Sequence, residues 1–546
     1  MPVVIAASPL ASWDCGKIEE GSTMPLNDRR IAIADDGRGL DRRGFLGRCA
    51  GCALASGCAA WAGPALGKPG AVEERPKVRL VFSHIPPGQP TWPFISFDYE
   101  ARKKELTKKL HQGCPEVEFL PVTVHDADAA RRVLAEDKGK KIAGYLCYMV
   151  GIWTGAPQAI AEAGKPTLFV DDLYSGSGEF LVAYAAARRA GKNVAGVSST
   201  RFGDVIAAAR RFAFIQDAKA AGRFAADCMA AVRKTYKPMG DESFGPIDAA
   251  PRVDAAAAVK ALKESTILLV GRPMQPIEPV ITRTLGTRIV PIDFKVLDEA
   301  YKKADKAKAS EYAEKWIRGA AAVEPHGDEI LRSAEMYVAM SDLMAQHKAK
   351  AIAINCLGGF YGGHMAAYPC LGFSQLNSDG LVGACEADMK STLTMLAMGH
   401  LVGRPGYISD PVIDTSKNQI IYAHCVAMTK VDGPKGAANP YQIRTHSEDR
   451  KGASMRSLLP LGRMTTTIQM DPVRKEILIH QGKAVANIDE DRACRTKLAV
   501  EVKGDIDKLL NFWDQWGWHR VTFYGDLKAP VQALASALGY KVVEEA

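Results

Sequence analysis

The chain has 546 residues, 47% of them apolar and 24% charged, with a net charge of +8, which are ordinary values for a soluble globular protein of about two to four domains. The densest basic clusters, Lys103-Lys104 with Lys108-Lys109 and Lys302-Lys303 with Lys306 and Lys308, read as solvated helix faces. No aromatic-interleaved basic motif accompanies them, which argues against a nucleic-acid surface.

Asp41-Arg42-Arg43-Gly44-Phe45-Leu46-Gly47 precedes a run of apolar and small residues from Cys49 to Ala62. A twin arginine ahead of a modest apolar region resembles a Tat export signal, and the run falls short of the roughly 20 apolar residues that a membrane span needs. Residues 1–67 therefore read as a leader and signal, with cleavage near Ala65, recognition by the Tat machinery and a periplasmic destination. Ala55-Ser56-Gly57-Cys58 is an imperfect lipobox, so a lipoprotein anchored through Cys58 is an alternative. Cys15, Cys49, Cys52 and Cys58 lie in or before this signal. Cys147, Cys356, Cys385 and Cys425 sit in apolar, strand-like runs and read as small core residues.

Beyond the linker, residues 68–200 alternate strand and helix: Val78–Ser83, a helix over Tyr99–His111, Val117–Val124, a helix over Ala127–Glu136, Ile142–Met149, a helix over Pro157–Ala163, Thr167–Asp171 and Val194–Ser198. This alternation predicts parallel βαβ units. Residues 201–262 are Ala- and Arg-rich and mostly helical, and read as a connector or an interface opening a second α/β domain, 201–428. In it, strands Ile267–Gly271, Arg288–Ile292 and Ala351–Cys356 flank a helix over Ile277–Leu285 and long helices over about 295–321 and 327–347. Gly380–Cys385 reads as a buried strand, Asp388–Leu401 as a helix and Gly406–Asp410 as the next parallel strand. After 428, short runs such as Thr465–Met470, Glu476–His480 and Lys497–Val502 predict a smaller β-rich domain, 429–546, with closing helices. The expected fold class is thus α/β, two Rossmann-like parallel-sheet domains followed by a β-rich C-terminal domain.

Chemistry concentrates at Glu386 and Asp410, which lie 24 residues apart. At the C-terminal ends of neighbouring parallel strands they would face one crevice, where open α/β sheets bind ligands. Buried acids persist mainly when they pair or hold a metal, although a helix N-terminal acid at Glu386 or Asp388 and an Asx turn at Asp410 are the plain structural readings. His424 closes the apolar run Ile420–His424, and His519 lies in Trp516-Gly517-Trp518-His519-Arg520. Either is read as a core residue or as an imidazole on a metal, with the tryptophans a wall for a sugar ring. Carboxylates with one or two imidazoles suit Mn²⁺, Mg²⁺ or Co²⁺.

Asn355-Cys356, Pro369-Cys370, Leu376-Asn377-Ser378-Asp379-Gly380, Ala384-Cys385-Glu386-Ala387-Asp388, Gly403-Arg404-Pro405, Asp410 and Ala423-His424-Cys425 together resemble the core of the L-fucose/L-arabinose isomerase superfamily, most of all its fucose-isomerase-like branch. The resemblance implies a divalent metal, usually Mn²⁺, held by Glu386, Asp410 and a late histidine, His519, with His424 in the place of a further histidine. It implies aldose–ketose isomerisation of a sugar, with Glu386 and Asp410 exchanging a proton through an enediol, and a homo-oligomer, trimer or hexamer; Trp518, in the aromatic run before His519, is the residue read as standing beside the substrate. An exported, non-catalytic carbohydrate-binding protein is the alternative, and it would leave the four candidate ligands dispersed. A nicotinamide oxidoreductase has only Gly176-Ser177-Gly178 in its favour, which lacks the third glycine of the fingerprint.

Overall fold

The computed structural model describes residues 74–237 and 254–546. Residues 1–67, where the export leader is expected, with the Arg42-Arg43 pair and Cys58, lie outside the described residues. No helix among the described residues is long and apolar enough to cross a membrane.

The first sheet contains β1 (Lys77–Ser83), β2 (Glu118–Val124), β3 (Ile142–Met149), β4 (Thr167–Asp171) and β5 (Val194–Val197). All are parallel, in the order β2-β1-β3-β4-β5. The order reverses between β1 and β3, so the loops after these strands diverge to opposite faces and leave a crevice. The second sheet orders β10-β9-β6-β7, from β6 (Thr266–Val270), β7 (Arg288–Ile292), β9 (Ala351–Ile354) and β10 (Val382–Ala384), again all parallel. Between β7 and β9 lies the two-residue β8 (Ala322–Val323), which pairs with β13 (Tyr441–Arg444) beside β14 (Ser454–Ser457). The long helix expected over 295–321 is two helices, Phe294–Lys302 and Lys306–Gly319, because Asp305 accepts from the N–H groups of Ala307 and Lys308 and starts a new helix.

The third sheet is a closed antiparallel barrel. Its strands are β11 (Tyr407–Asp414), β12 (Gln419–His424), β15 (Met464–Asp471), β16 (Glu476–Asn487), β17 (Thr496–Lys503) and β18 (Arg520–Tyr524). They run β15-β18-β11-β12-β17-β16, and β16 returns to β15. The last strand, β19 (Lys541–Glu544), adds parallel to β16.

Two expectations are corrected here. Gly406–Asp410 is not a parallel neighbour of Gly380–Cys385; β11 lies antiparallel between β12 and β18. The barrel therefore begins before residue 428 and takes in Asp410 and His424, which the sequence pattern placed in the second α/β domain. The physical reason is the helix Met389–Val402. It stops at Gly403, whose left-handed φ of +64° turns the chain away from the sheet. β11 is buried on both faces, as a central parallel strand would be, so its apolar pattern alone does not reveal its partner.

A buried polar chain ties the barrel to the C-terminus. Arg520 donates from Nε to Glu545 Oε1 at 2.9 Å, and both side chains are enclosed. Glu545 Oε2 is 3.0 Å from His480 Nδ1, and His480 Nε2 is 2.5 Å from the Tyr422 hydroxyl. The guanidinium also donates to the carbonyls of Trp513, Gly517 and His519 at 2.9, 3.1 and 3.0 Å, which fixes the loop entering β18. Burial alone would raise the Glu545 carboxyl, but Arg520 and His480 outweigh it and hold it at about 2. That stabilisation is present above the ordinary carboxylate value and is lost as pH falls through about 2. Breaking a buried pair costs about 3–5 kcal/mol. Glu545→Gln is therefore expected to lower the unfolding free energy by that order at pH 7 in urea titrations, with the gap to the parent protein closing as pH drops toward 2.

Candidate metal centre

Glu386 enters the site on a single 3-10 turn, Cys385–Ala387, just past β10. Glu386 (φ +59°) and Ala387 (φ +48°) both adopt the left-handed conformation, which costs a residue with a β-carbon about 1–2 kcal/mol. The turn is held from outside. Met274 donates its N–H to the Ala387 carbonyl at 3.1 Å, and Asp388 caps the following helix by accepting from the Ser391 N–H at 3.0 Å. Strained backbone that its surroundings enforce marks functional turns.

The barrel supplies the other side. Asp410 on β11 and His519, immediately before β18, stand opposite Glu386, and ligand atoms of all three lie within 4.8 Å of one another. His519 Nε2 is 3.1 Å from Asp410 Oδ1 and 3.7 Å from Glu386 Oε2. His424, at the end of β12, places Nε2 at 4.0 Å from Glu386 Oε1, and its ring stacks on His519 with centroids 5.4 Å apart. The four residues named from sequence thus converge, against the dispersal that a plain sugar-binding scaffold would show. Glu386 keeps 20% of its side-chain surface exposed while His519 is sealed, so the crevice opens on the glutamate.

The two imidazoles differ in which nitrogen is free. The Cys425 N–H donates to His424 Nδ1 at 3.0 Å, so neutral His424 carries its proton on Nε2. His519 Nδ1 lies 2.9 Å from Asp388 Oδ2, and the same oxygen accepts from the Ser391 hydroxyl at 3.0 Å. A carboxylate only accepts, so His519 donates through Nδ1, and in the neutral ring, the form that binds a metal, the Nε2 lone pair faces Glu386 and Asp410. A histidine braced by a carboxylate in this way is the usual form of a metal ligand. Nε2 of each ring is buried without a hydrogen-bond partner. Two carboxylates and a braced imidazole around one point fit a divalent cation, with His519 as the ligand and His424 as a donor beside it.

Charge sorts the carboxylates. Burial, reinforced by Asp410, pushes Glu386 well above the usual carboxylate range against the pull of His519. Burial also acts on Asp410, but His424, His519 and the Trp518 indole outweigh it and hold that carboxyl low. Trp518 Nε1 donates to Asp410 Oδ1 at 2.6 Å. Burial opposes a charge on His519, yet Glu386, Asp388 and Asp410 raise it well above the ordinary imidazole value.

Sequence reasoning missed three contributors. Asp388 was legible only as a helix cap; its second role needs β18 beside it. Glu448, held by the Tyr361 hydroxyl at 2.9 Å, adds a negative charge that raises Glu386. Trp153 meets Trp518 edge-on at 5.4 Å and is 52% exposed, with a left-handed φ of +65°. Its loop is clamped by Glu179, which accepts from the N–H groups of Thr154 and Gly155 at 3.0 and 2.5 Å. No local pattern announces either Glu448 or Trp153. The Gly176-Ser177-Gly178 fragment serves this same contact, since a side chain at Gly178 would strike Trp518 at 2.9 Å. A buried glutamate at that helix start also disfavours a dinucleotide phosphate. Asp171 and Asp172, at the end of β4, are structural: Ser198 and Ser177 donate to Asp171 at 2.9 and 3.1 Å, and Arg102 pairs with Asp172 at 2.5 Å.

No protein-family model matches the chain. Curated relatives do. A sulfoquinovose isomerase of Clostridium sp. (strain MSTE9) is 27% identical over 246 residues, 43% of this chain and 52% of the relative. The sulfoquinovose isomerase of Priestia megaterium (strain ATCC 12872 / QMB1551) is 26% identical over 296 residues, 50% of this chain and 63% of the relative. That of Alkalicoccus urumqiensis is 24% identical over 220 residues, 39% of this chain and 48% of the relative. The chain thus spans about half to three-fifths of the length of the curated relatives it matches. Among solved structures, the XylFII molecule overlaps 53% of this chain and 85% of its own at 12% identity, with a TM-score of 0.16. A periplasmic solute binding protein of an ABC transporter from Actinobacillus succinogenes 130z, with bound D-allose, reaches a TM-score of 0.14 at 10% identity, over 53% of this chain and 83% of its own. No shared fold follows from overlaps of that size.

Asp388→Asn tests the bracing of His519. Divalent-cation affinity is expected to fall about 10–100-fold, read by Mn²⁺ titration with electron paramagnetic resonance, while far-ultraviolet circular dichroism stays unchanged. Unaltered affinity would remove Asp388 from the site.

Proposed function

We propose that this chain is a divalent-metal-dependent aldose–ketose isomerase acting on a sugar. The observation that carries the reading is the convergence of Glu386, Asp410 and His519. The relatives named sulfoquinovose isomerase support the reaction class and make sulfoquinovose the first substrate to try.

Glu386, Asp410 and His519 would hold the cation, with Mn²⁺ the first choice and Mg²⁺ or Co²⁺ the alternatives. When bound, a divalent ion supplies Lewis acidity to the vicinal oxygens of an open-chain sugar, which acidifies the hydrogen beside the carbonyl. The protein's own groups do the rest. Glu386 has the elevated carboxyl of the pair, so it is the stronger base when ionised and takes the carbon-bound proton. An enediol results, and the proton returns to the neighbouring carbon. Asp410 stays ionised, its charge fixed by Trp518 and its two neighbouring histidines. His424 offers its Nε2–H to a substrate oxygen. Trp518 and Trp153 form an apolar wall that excludes water from one side and gives a sugar ring a face to stack on. The Arg42-Arg43 leader supports export through the Tat machinery to the periplasm, with loading of the metal before export. Assembly into trimers or hexamers remains an expectation of the resemblance.

Elemental analysis of the purified full chain is expected to give about one divalent ion per chain, with loss of the ion in the Glu386→Ala/Asp410→Ala double variant. Glu386→Gln is expected to reduce aldose–ketose conversion, with sulfoquinovose and neutral aldoses as substrates, by at least about a hundredfold while the fold persists. Full conversion by Glu386→Gln would sink the mechanism, and a metal-free parent protein after incubation with Mn²⁺ would sink the metal reading.

A further inference from the structure

Two thiols stand directly behind the strained turn. β9 and β10 are parallel neighbours with Ala384 opposite Ala353. Cys385 is the first residue beyond β10 and Cys356 the second beyond β9, so the two leave adjacent strand ends on the same edge of the sheet. Their sulfurs are 3.0 Å apart, and both are buried, Cys356 at 1% and Cys385 at 4% exposure. The pair has no part in the isomerisation proposed above. It is joined covalently to that site, because Cys385 precedes Glu386.

We propose that Cys356 and Cys385 form a reversible dithiol–disulfide couple that sets the position of the Glu386 carboxylate. A hydroperoxide is the oxidant, and hydrogen peroxide is small enough to enter beside the part-exposed Glu386. One sulfur attacks a peroxide oxygen, the O–O bond breaks, and a sulfenic acid and one water form. The second sulfur attacks the first, the S–S bond forms, the S–O bond breaks, and a second water leaves. Two thiols lose two electrons, one peroxide gains them, and both thiol protons end in water.

Closing the sulfurs to the covalent length of about 2.05 Å draws Cys385 toward β9. Glu386 cannot absorb that shift in its backbone. Its φ is already left-handed, Met274 holds Ala387, and Asp388 is tied to Ser391 and His519. The displacement therefore passes to the carboxylate, where ligand positions matter to about 0.2 Å. The disulfide form is the weak-binding state of the cation site. Cys425 and Cys494 are a second buried pair in contact with each other, but they also share the Ser447 hydroxyl at 3.8 and 3.7 Å and neither adjoins Glu386 in the chain.

The experiment uses the full chain, treated with one to two equivalents of hydrogen peroxide, roughly the amount that two thiols consume. Proteolysis without reductant, followed by mass spectrometry, is expected to give a Cys356–Cys385 cross-linked peptide that dithiothreitol abolishes. Mn²⁺ affinity is expected to fall at least about tenfold on oxidation and to return with dithiothreitol. In Cys356→Ser, peroxide leaves Mn²⁺ affinity unmoved. Should that variant not fold, the peptide map and the dithiothreitol reversal on the parent chain decide the matter. A bridge between Cys425 and Cys494, sulfinate without a bridge, or a mapped bridge with unchanged Mn²⁺ affinity would each overturn the proposal. The affinity readout rests on the metal reading of the site. A reduced protein that binds no Mn²⁺ counts against that reading, and the couple is then judged on the peptide map alone.

Discussion

The hydrogen bond between His519 Nδ1 and Asp388 Oδ2, at 2.9 Å, is the join on which the site depends. Asp388 belongs to the second parallel sheet's last turn, and His519 to the entry of a barrel strand 131 residues later. The bond fixes the ring's orientation and its tautomer together, and so decides that Nε2 faces the carboxylates. It is made inside the protein, where an unmatched charge would be costly. It also serves two structures at once, since Asp388 caps the helix Met389–Val402 with the same carboxylate.

The surrounding architecture keeps both ends of that bond still. On the barrel side, Arg520 gathers three carbonyls of the loop that presents Trp518 and His519, and Glu545 neutralises it from the last turn of chain. On the sheet side, the left-handed pair Glu386 and Ala387 stores strain that Met274 and the helix cap hold in place. Rigid support of this kind is what a site sensitive to tenths of an ångström requires. The first sheet adds the remaining wall. Its switch-point loop carries Trp153 onto Trp518, and Glu179 clamps that loop by its backbone. Three separate sheets therefore meet at one crevice, and none of them contains a complete site.

Much of this was legible in the sequence because it is local. Alternating apolar runs and helix-length segments separated by turn residues give the first sheet almost strand for strand, whereas the cap at Asp305, which divides the helix expected over 295–321, went unread. Glu386, Asp410, His424 and His519 stood out because each acid or imidazole closes or interrupts an apolar stretch. What misled was β11. Its residues are buried on both faces, and such burial is equally consistent with a parallel sheet and with a barrel wall covered by a helix. Only the turn at Gly403 distinguishes them, and a glycine after a helix says where the helix stops, not where the chain goes next.

The sequence by itself determined the α/β class, the β-rich C-terminal region and the residue types able to bind a cation, because strand period, helix capping and side-chain chemistry are properties of neighbours along the chain. The tertiary structure alone decided that Asp410 and His424 belong to the barrel, that Asp388 braces His519, that neutral His519 and not neutral His424 turns its Nε2 lone pair toward the carboxylates, and that Glu448, Trp153 and the Cys356–Cys385 pair border the site. Each of these is a contact between residues far apart in sequence, fixed by strand pairing and by which hydrogen bond satisfies which buried atom, and no pattern read along one segment encodes that.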